Sequence, residues 1–167
     1  MGHTSQRTAI VLVTSLFFLW ALAHNLNPIL IPHLRKALQL NDARSALVDS
    51  AFFIAYFVMA RPAGAFMKRF GYRRGIVGGL LLFAFGAFLF WPAATLRSYP
   101  FFLGALFIIA SGLTFLETAA NPYVSVLGDP ATAPRRLNFA QAFNGLGAAL
   151  AAFFGGRFIL SGTAPTP

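Results

Sequence analysis

From residue 101 to residue 127 the chain reads FFLGALFIIASGLTFLETAANPYVSVL. A helix crosses the hydrocarbon core of a bilayer with about 20 mostly apolar residues. This stretch is long enough to do so and carries one charged side chain, Glu117. It therefore reads as a membrane-spanning helix with an acid inside it. Polar side chains at that depth are costly and face a partner helix or a wet cavity. Thr114, Thr118 and Asn121 recur around Glu117 at helical spacing and predict one polar stripe. Pro122 follows, removing the hydrogen bond that the Thr118 carbonyl would otherwise accept. A titratable carboxylate beside a released backbone oxygen suits proton binding. The alternative is an acid paired with a buried arginine for packing.

Working outward, four more apolar stretches are long enough to span, at 8–31, 46–67, 76–94 and 137–160. The breaks between them have a chemical basis. Ile31-Pro32-His33 opens a polar segment through Arg44. The run Lys68-Arg69-Phe70-Gly71-Tyr72-Arg73-Arg74 predicts a tight basic loop. Ser98-Tyr99-Pro100 reads as a short turn, and Gly128-Asp129-Pro130 begins a loop running to Arg136. Composition agrees: 57% of residues are hydrophobic and 10% charged, against about 25% charged in soluble domains. The net charge of +9 is no nucleic-acid footprint, because the basic residues lie in short runs between spans, where membrane topology and anionic headgroups account for them. The chain has no cysteine, and its three isolated histidines make no metal cluster.

Orientation follows from the lysine and arginine bias. With the N-terminus in the cytoplasm, the inner segments hold Arg7, Lys68, Arg69, Arg73, Arg74, Arg135 and Arg136. The outer loops hold Arg35, Lys36, Arg44 and Arg97, diluted by Asp42. Arg61 and Arg157 fall inside spans and do not count. The first span also has features of a cleaved signal peptide, with Arg7 before an apolar core at 8–20 and Ala21-Leu22-Ala23 as an A-x-A-like site. Its apolar pattern continues to Ile31 and four spans follow, so it reads as a retained helix. Five spans put the C-terminus outside, the tail 161–167 carries no folding signal, and the chain reads as a fragment.

The first helix turns polar in its outer half. Trp20, His24 and Asn27 share a face, with Asn25 nearby, and Pro28 and Pro32 release the carbonyls of His24 and Pro28. Broken hydrogen bonding in a span is tolerated where protein or water meets it. Trp20 would stack on the apolar face of a sugar ring while His24 and the amides bind hydroxyls. An interfacial tryptophan with interhelical amide contacts is the competing reading. The fifth helix begins with Asn138, Gln141 and Asn144 on one face, as packing or ligand groups. Gly145, Gly147, Gly155 and Gly156 predict close helix approach. In the second helix Asp49 and Tyr56 share a face, with Asp49 near the outer interface. The 20 phenylalanines read as lipid-facing bulk.

Several of these stretches together resemble the fucose permease family of the major facilitator superfamily. They are Ser15-Leu16-Phe17-Phe18-Leu19-Trp20-Ala21, Asn25-Leu26-Asn27, Phe90-Trp91-Pro92-Ala93-Ala94, Leu116-Glu117-Thr118-Ala119-Ala120-Asn121-Pro122 and Asn138-Phe139-Ala140-Gln141-Ala142-Phe143-Asn144. The segment 64–74 is similar to the superfamily's basic loop after the second helix, with Lys68 where most members, though not the fucose branch, carry aspartate. The resemblance implies twelve helices in two six-helix halves, exchanging sugar and proton by alternating access, with this chain as helices one to five. It also implies that Glu117 is a proton and sugar site and that Gln141 contacts sugar. The family's fucose carriers have an acid directly after the first-helix Asn-Leu-Asn, where this chain has Pro28. That departure leaves open both the sugar and the coupling scheme; other members take glucose or galactose, and Asp49 is the remaining candidate for a second carboxylate.

The expected fold is all-α: a polytopic transmembrane helix bundle whose five helices correspond to most of the first half of a major facilitator fold. Residues 1–167 form one partial N-terminal transmembrane domain. The expected function is symport of a fucose-, glucose- or galactose-type hexose with protons across the inner membrane, with the N-terminus cytoplasmic. Glu117 would couple the proton, and Trp20, His24, Asn25, Asn27, Asn121, Gln141 and Asn144 would bind the sugar. The partners are a small-molecule sugar, the proton, the lipid bilayer and a missing C-terminal half needed for activity. No hydrolase or kinase motif points to an enzyme, and no cofactor is implied. The alternatives are a non-transporting truncated fragment or assembly partner, and another carrier of the superfamily that moves drugs or osmolytes.

Overall fold

The computed structural model describes residues 3–37, 41–96 and 98–160. Arg97, the tail 161–167 and the side chains of Asn27, Pro28, Arg35, Lys36, Asp42 and Asp49 lie outside that description. Five long helices follow one another: α1 (His3–Ala37), α2 (Asp42–Phe70), α3 (Tyr72–Thr95), α4 (Tyr99–Val126) and α5 (Ala133–Phe154). A 3-10 turn, Pro130–Thr132, precedes α5, and a wider-wound segment, Gly155–Leu160, extends it. The five stretches Arg7–Leu26, Ala46–Phe70, Tyr72–Ala93, Tyr99–Val126 and Pro130–Phe158 are long and apolar enough to cross a membrane. Leu12, Phe57, Phe85, Trp91, Phe153 and Phe158 stand exposed. In water such surfaces would aggregate; in lipid they are the solvated face.

The helices run further than the apolar stretches suggest. α1 continues through Pro28 and Pro32 to Ala37, beyond the expected end at Ile31. Each proline removes one hydrogen bond, whereas leaving the helix in lipid would strand many backbone groups, so continuing is cheaper. α2 begins at Asp42, capped by Asn41, whose Oδ1 accepts from the Arg44 amide at 2.9 Å. The expected basic loop after α2 shrinks to one residue, Gly71, between α2 and α3. Its φ of 82° is open mainly to glycine, and its amide donates to the Met67 carbonyl at 2.9 Å. Lys68 and Arg69 thus sit in the last turn of α2, where cations oppose the helix dipole favourably.

The chain divides into two compact units, residues 35–120 and residues 1–34 with 121–167. In the first, α3 and α4 approach until their backbones nearly touch. A Cβ added at Gly112 would lie 2.6 Å from the Phe83 amide nitrogen, and one at Gly86 would lie 2.7 Å from that of Ile109. Ala63, Met67, Phe115 and Ala119 form a buried cluster there, with the Phe66 and Phe115 rings edge to face at 5.6 Å. At the other end of α2, Tyr99 donates its hydroxyl to the Arg44 carbonyl at 2.6 Å, and the Arg44 guanidinium lies 5.8 Å from the Tyr99 ring centre.

In the second unit α1 meets α5 at Gly147. A Cβ there would collide with the Phe18 carbonyl oxygen and lie 3.1 Å from the Ala21 Cβ, so only glycine permits this approach. The glycine face of α5 is narrower than expected: Gly145 and Gly156 have open space where a Cβ would go. Phe17, Ala21, Ala140 and Ala151 are buried in this unit.

Candidate functional site

The close approach at Gly147 brings the polar turns of α1 and α5 together. One turn before it, Asn144 Nδ2 reaches the Phe17 carbonyl at 3.5 Å. Phe17 packs edge to face on Trp20 with ring centres 5.7 Å apart, which fixes the indole plane. The Trp20 Nε1–H is shielded from solvent and has no hydrogen-bond acceptor among the described residues. A buried donor in that state costs about 1–3 kcal/mol, so it is set to take an acceptor from outside the described residues. One turn along α1 lies His24, half-buried, with its Nδ1 shielded from solvent. Asn25 Nδ2 donates back to the Ala21 carbonyl at 2.8 Å, which spends one of its two N–H donors on its own helix. Asn27 lies on α1, with its side chain outside the described residues.

At the far end of α4, Asn121 Oδ1 accepts a hydrogen bond from Gln141 Nε2 at 3.2 Å. This pair ties the last turns of α4 to the third turn of α5. Asn138, on the same helix, is exposed. The junction below the pair is held by an interaction that sequence reasoning missed. Arg136, counted above only as a topological charge, donates from Nε to the Val124 carbonyl at 3.3 Å, from Nη2 to that of Ser125 at 3.0 Å and from Nη1 to that of Asp129 at 2.9 Å. Nη1 also bonds the Thr132 hydroxyl. The Val124 and Ser125 carbonyls lie where α4 ends and lacks intrahelical partners; an arginine in the first turn of the next helix is the signal that was available.

Glu117 belongs to α4 within the other unit and is half-buried. Of its expected stripe, Thr114 is buried and spends its hydroxyl on the Ala110 carbonyl at 2.8 Å. It is thus a helix-satisfied group and no ligand donor. Thr118 is half-buried, and α4 continues without a break past Pro122 to Val126.

Among the described residues, five spans long enough for a bilayer, with prolines inside continuous helices and with amides, an indole N–H and Glu117 set among apolar side chains, are the features of a multi-pass membrane protein. The profile of the Major Facilitator Superfamily matches residues 10–165, and the chain belongs to that superfamily. It is 53% identical over 153 residues to a glucose/galactose transporter of Brucella abortus, covering 92% of this chain and 37% of that protein. It is equally 53% identical over 150 residues to the L-fucose-proton symporter of Escherichia coli, covering 90% of this chain and 34% of the symporter. The crystal structure of the transporter FucP in the outward conformation superposes with a TM-score of 0.84 at 49% identity, covering 98% of this chain and 39% of that one. The chain therefore spans a little over a third of the length of these relatives, which are transporters of sugars.

Proposed function

We propose that this chain is the front part of a proton-coupled hexose symporter, lying in the inner membrane with its N-terminus in the cytoplasm. The observation that carries the reading is the buried Trp20 N–H, which has no acceptor among the described residues, set beside a ring face and amides in helices otherwise built of apolar residues. Trp20 stacks on the sugar and donates to a hydroxyl, as do His24, Asn25, Asn27, Asn121, Gln141 and Asn144 through their polar groups. The hydrogen bond already present from Gln141 to Asn121 holds the binding face in shape and exchanges for sugar hydroxyls. Glu117 carries the proton: its protonation and sugar binding favour each other, and by linkage each alters the other's affinity by the same factor. The relatives, transporters of glucose and galactose or of L-fucose, favour a hexose over a drug or osmolyte. Pro28, where the fucose carriers have an acid, leaves Glu117 as the principal coupling group.

Such sites lie between the repeat halves of a carrier, so further helices complete this one, and on its own the chain is a non-transporting fragment. The test is Glu117→Gln in the full-length protein. Glutamine keeps shape and hydrogen bonding but cannot ionise. Uphill accumulation driven by a pH gradient should disappear while sugar exchange at equal pH survives. A Glu117→Gln variant that still concentrates sugar would remove Glu117 from the coupling role, with Asp49 next to be tested.

A further inference from the structure

The geometry points to Arg136 as a positioning residue that sets sugar affinity by fixing the register of Asn121 against Gln141. Arginine has five N–H donors in a rigid fork. Here the fork takes the carbonyls of Val124, Ser125 and Asp129 together with the Thr132 hydroxyl. Val124 and Ser125 close α4 and Asp129 begins the connection to α5, so one side chain grips the end of one helix, the connection and its own helix at once. The Val124 and Ser125 acceptors are helix-terminal oxygens carrying partial negative charge, and the fork supplies both charge and direction.

Asn121 lies three residues before Val124, about 4.5 Å along α4, and Gln141 five residues after Arg136, about 7.5 Å along α5. The amide pair and the arginine fork are thus two ties across the same junction. The amide pair is the weaker: one neutral bond of 3.2 Å, with Gln141 exposed. It cannot hold two helices in register alone, and the fork is what keeps the two amides opposite one another. Neighbouring Arg135 is exposed and forms no such bonds, so position 136 is singled out by geometry and not by charge. Lysine there would keep the charge, yet one ammonium cannot reach carbonyls spread around a fork.

The transport consequence rests on the symporter reading, whereas the register does not, and two measurements separate them. In the full-length protein, Arg136→Lys should raise the KM for sugar about tenfold, as expected from losing one to two hydrogen bonds' worth of placement, with Vmax within about twofold. In a Gln141→Ala background the same substitution should change KM little further, because the two act through one pair. Independently, cysteines at Asn121 and Gln141 should be joined rapidly by a short bis-thiosulfonate reagent, and Arg136→Lys should slow that reaction several-fold. Additive effects on KM, or crosslinking indifferent to position 136, would overturn the proposal. If the unsubstituted protein moves no sugar but its crosslinking still depends on Arg136, the symporter reading fails and the register assignment stands. Should Arg136→Lys not fold, Thr132→Val removes one acceptor and should shift both readouts less, in the same direction.

Discussion

Trp20 presents a rare situation in a helix bundle, a buried N–H that no carbonyl or side-chain oxygen receives among the described residues. The phenyl ring of Trp20→Phe keeps an aromatic face for stacking and removes that donor. If the donor belonged to the packing of the protein, its loss would destabilise the fold; with no acceptor to lose, folding should be unaffected or slightly improved. Sugar affinity should fall about three- to tenfold, the worth of one hydrogen bond to a hydroxyl, while pH-driven accumulation persists because Glu117 is untouched. Sugar titration and thermal unfolding on the same preparation check both halves. Asn144 behaves differently, since its amide already reaches the Phe17 carbonyl. Asn144→Ala should lower stability and affinity together.

At the scale of elements, the crossing of α1 and α5 turns on Gly147. Gly147→Ala places a methyl against the Phe18 carbonyl and 3.1 Å from the Ala21 Cβ, and overpacking of this kind costs about 1–3 kcal/mol. The expected result is a lower unfolding temperature and weaker sugar binding, because α1 carrying Trp20 is pushed off α5. Gly145→Ala, two residues away with open space around it, should do neither. Sequence alone pointed to all four glycines of α5 as a packing face, because composition does not say which side of a helix meets its neighbour. The existence and order of the five helices were legible because a run of apolar residues in lipid has few alternatives to a helix. Their ends were less so: α1 passes two prolines that punctuate soluble helices, and the basic run after α2 is wound into helix up to Gly71 and again from Tyr72. At the site, the residue types were readable, since amides and an acid stand out against phenylalanine and leucine. Which polar atoms are already spent, as on Thr114 and Asn25, and the fork of Arg136 depend on side-chain direction, which spacing does not encode.

For the whole molecule, the proposed orientation sets the α2–α3 turn, with basic residues at both sides of Gly71, in the cytoplasm. A cysteine at Arg74, an exposed position, should resist a membrane-impermeant thiol reagent in intact cells, and one at Ser98 should react. Gly71 itself is a poor labelling site because its φ of 82° strains any other residue. The native chain has no cysteine, so background labelling is absent, and the reverse pattern would invert the orientation. Residues 1–167 reconstituted alone should show no saturable sugar uptake, since the site lies between halves. Uptake by this segment would show either that it is sufficient or that two copies imitate the halves, which crosslinking would separate.

The central claim is that sugar movement is coupled to protons, and it is tested most directly by sugar uptake into right-side-out vesicles bearing the full-length protein. With the outside made acidic, the account predicts accumulation of a hexose above its external concentration, collapsing to equilibrium when a protonophore is added or the gradient is omitted. Accumulation that is the same with and without the gradient, or absent for every hexose tried, would contradict it.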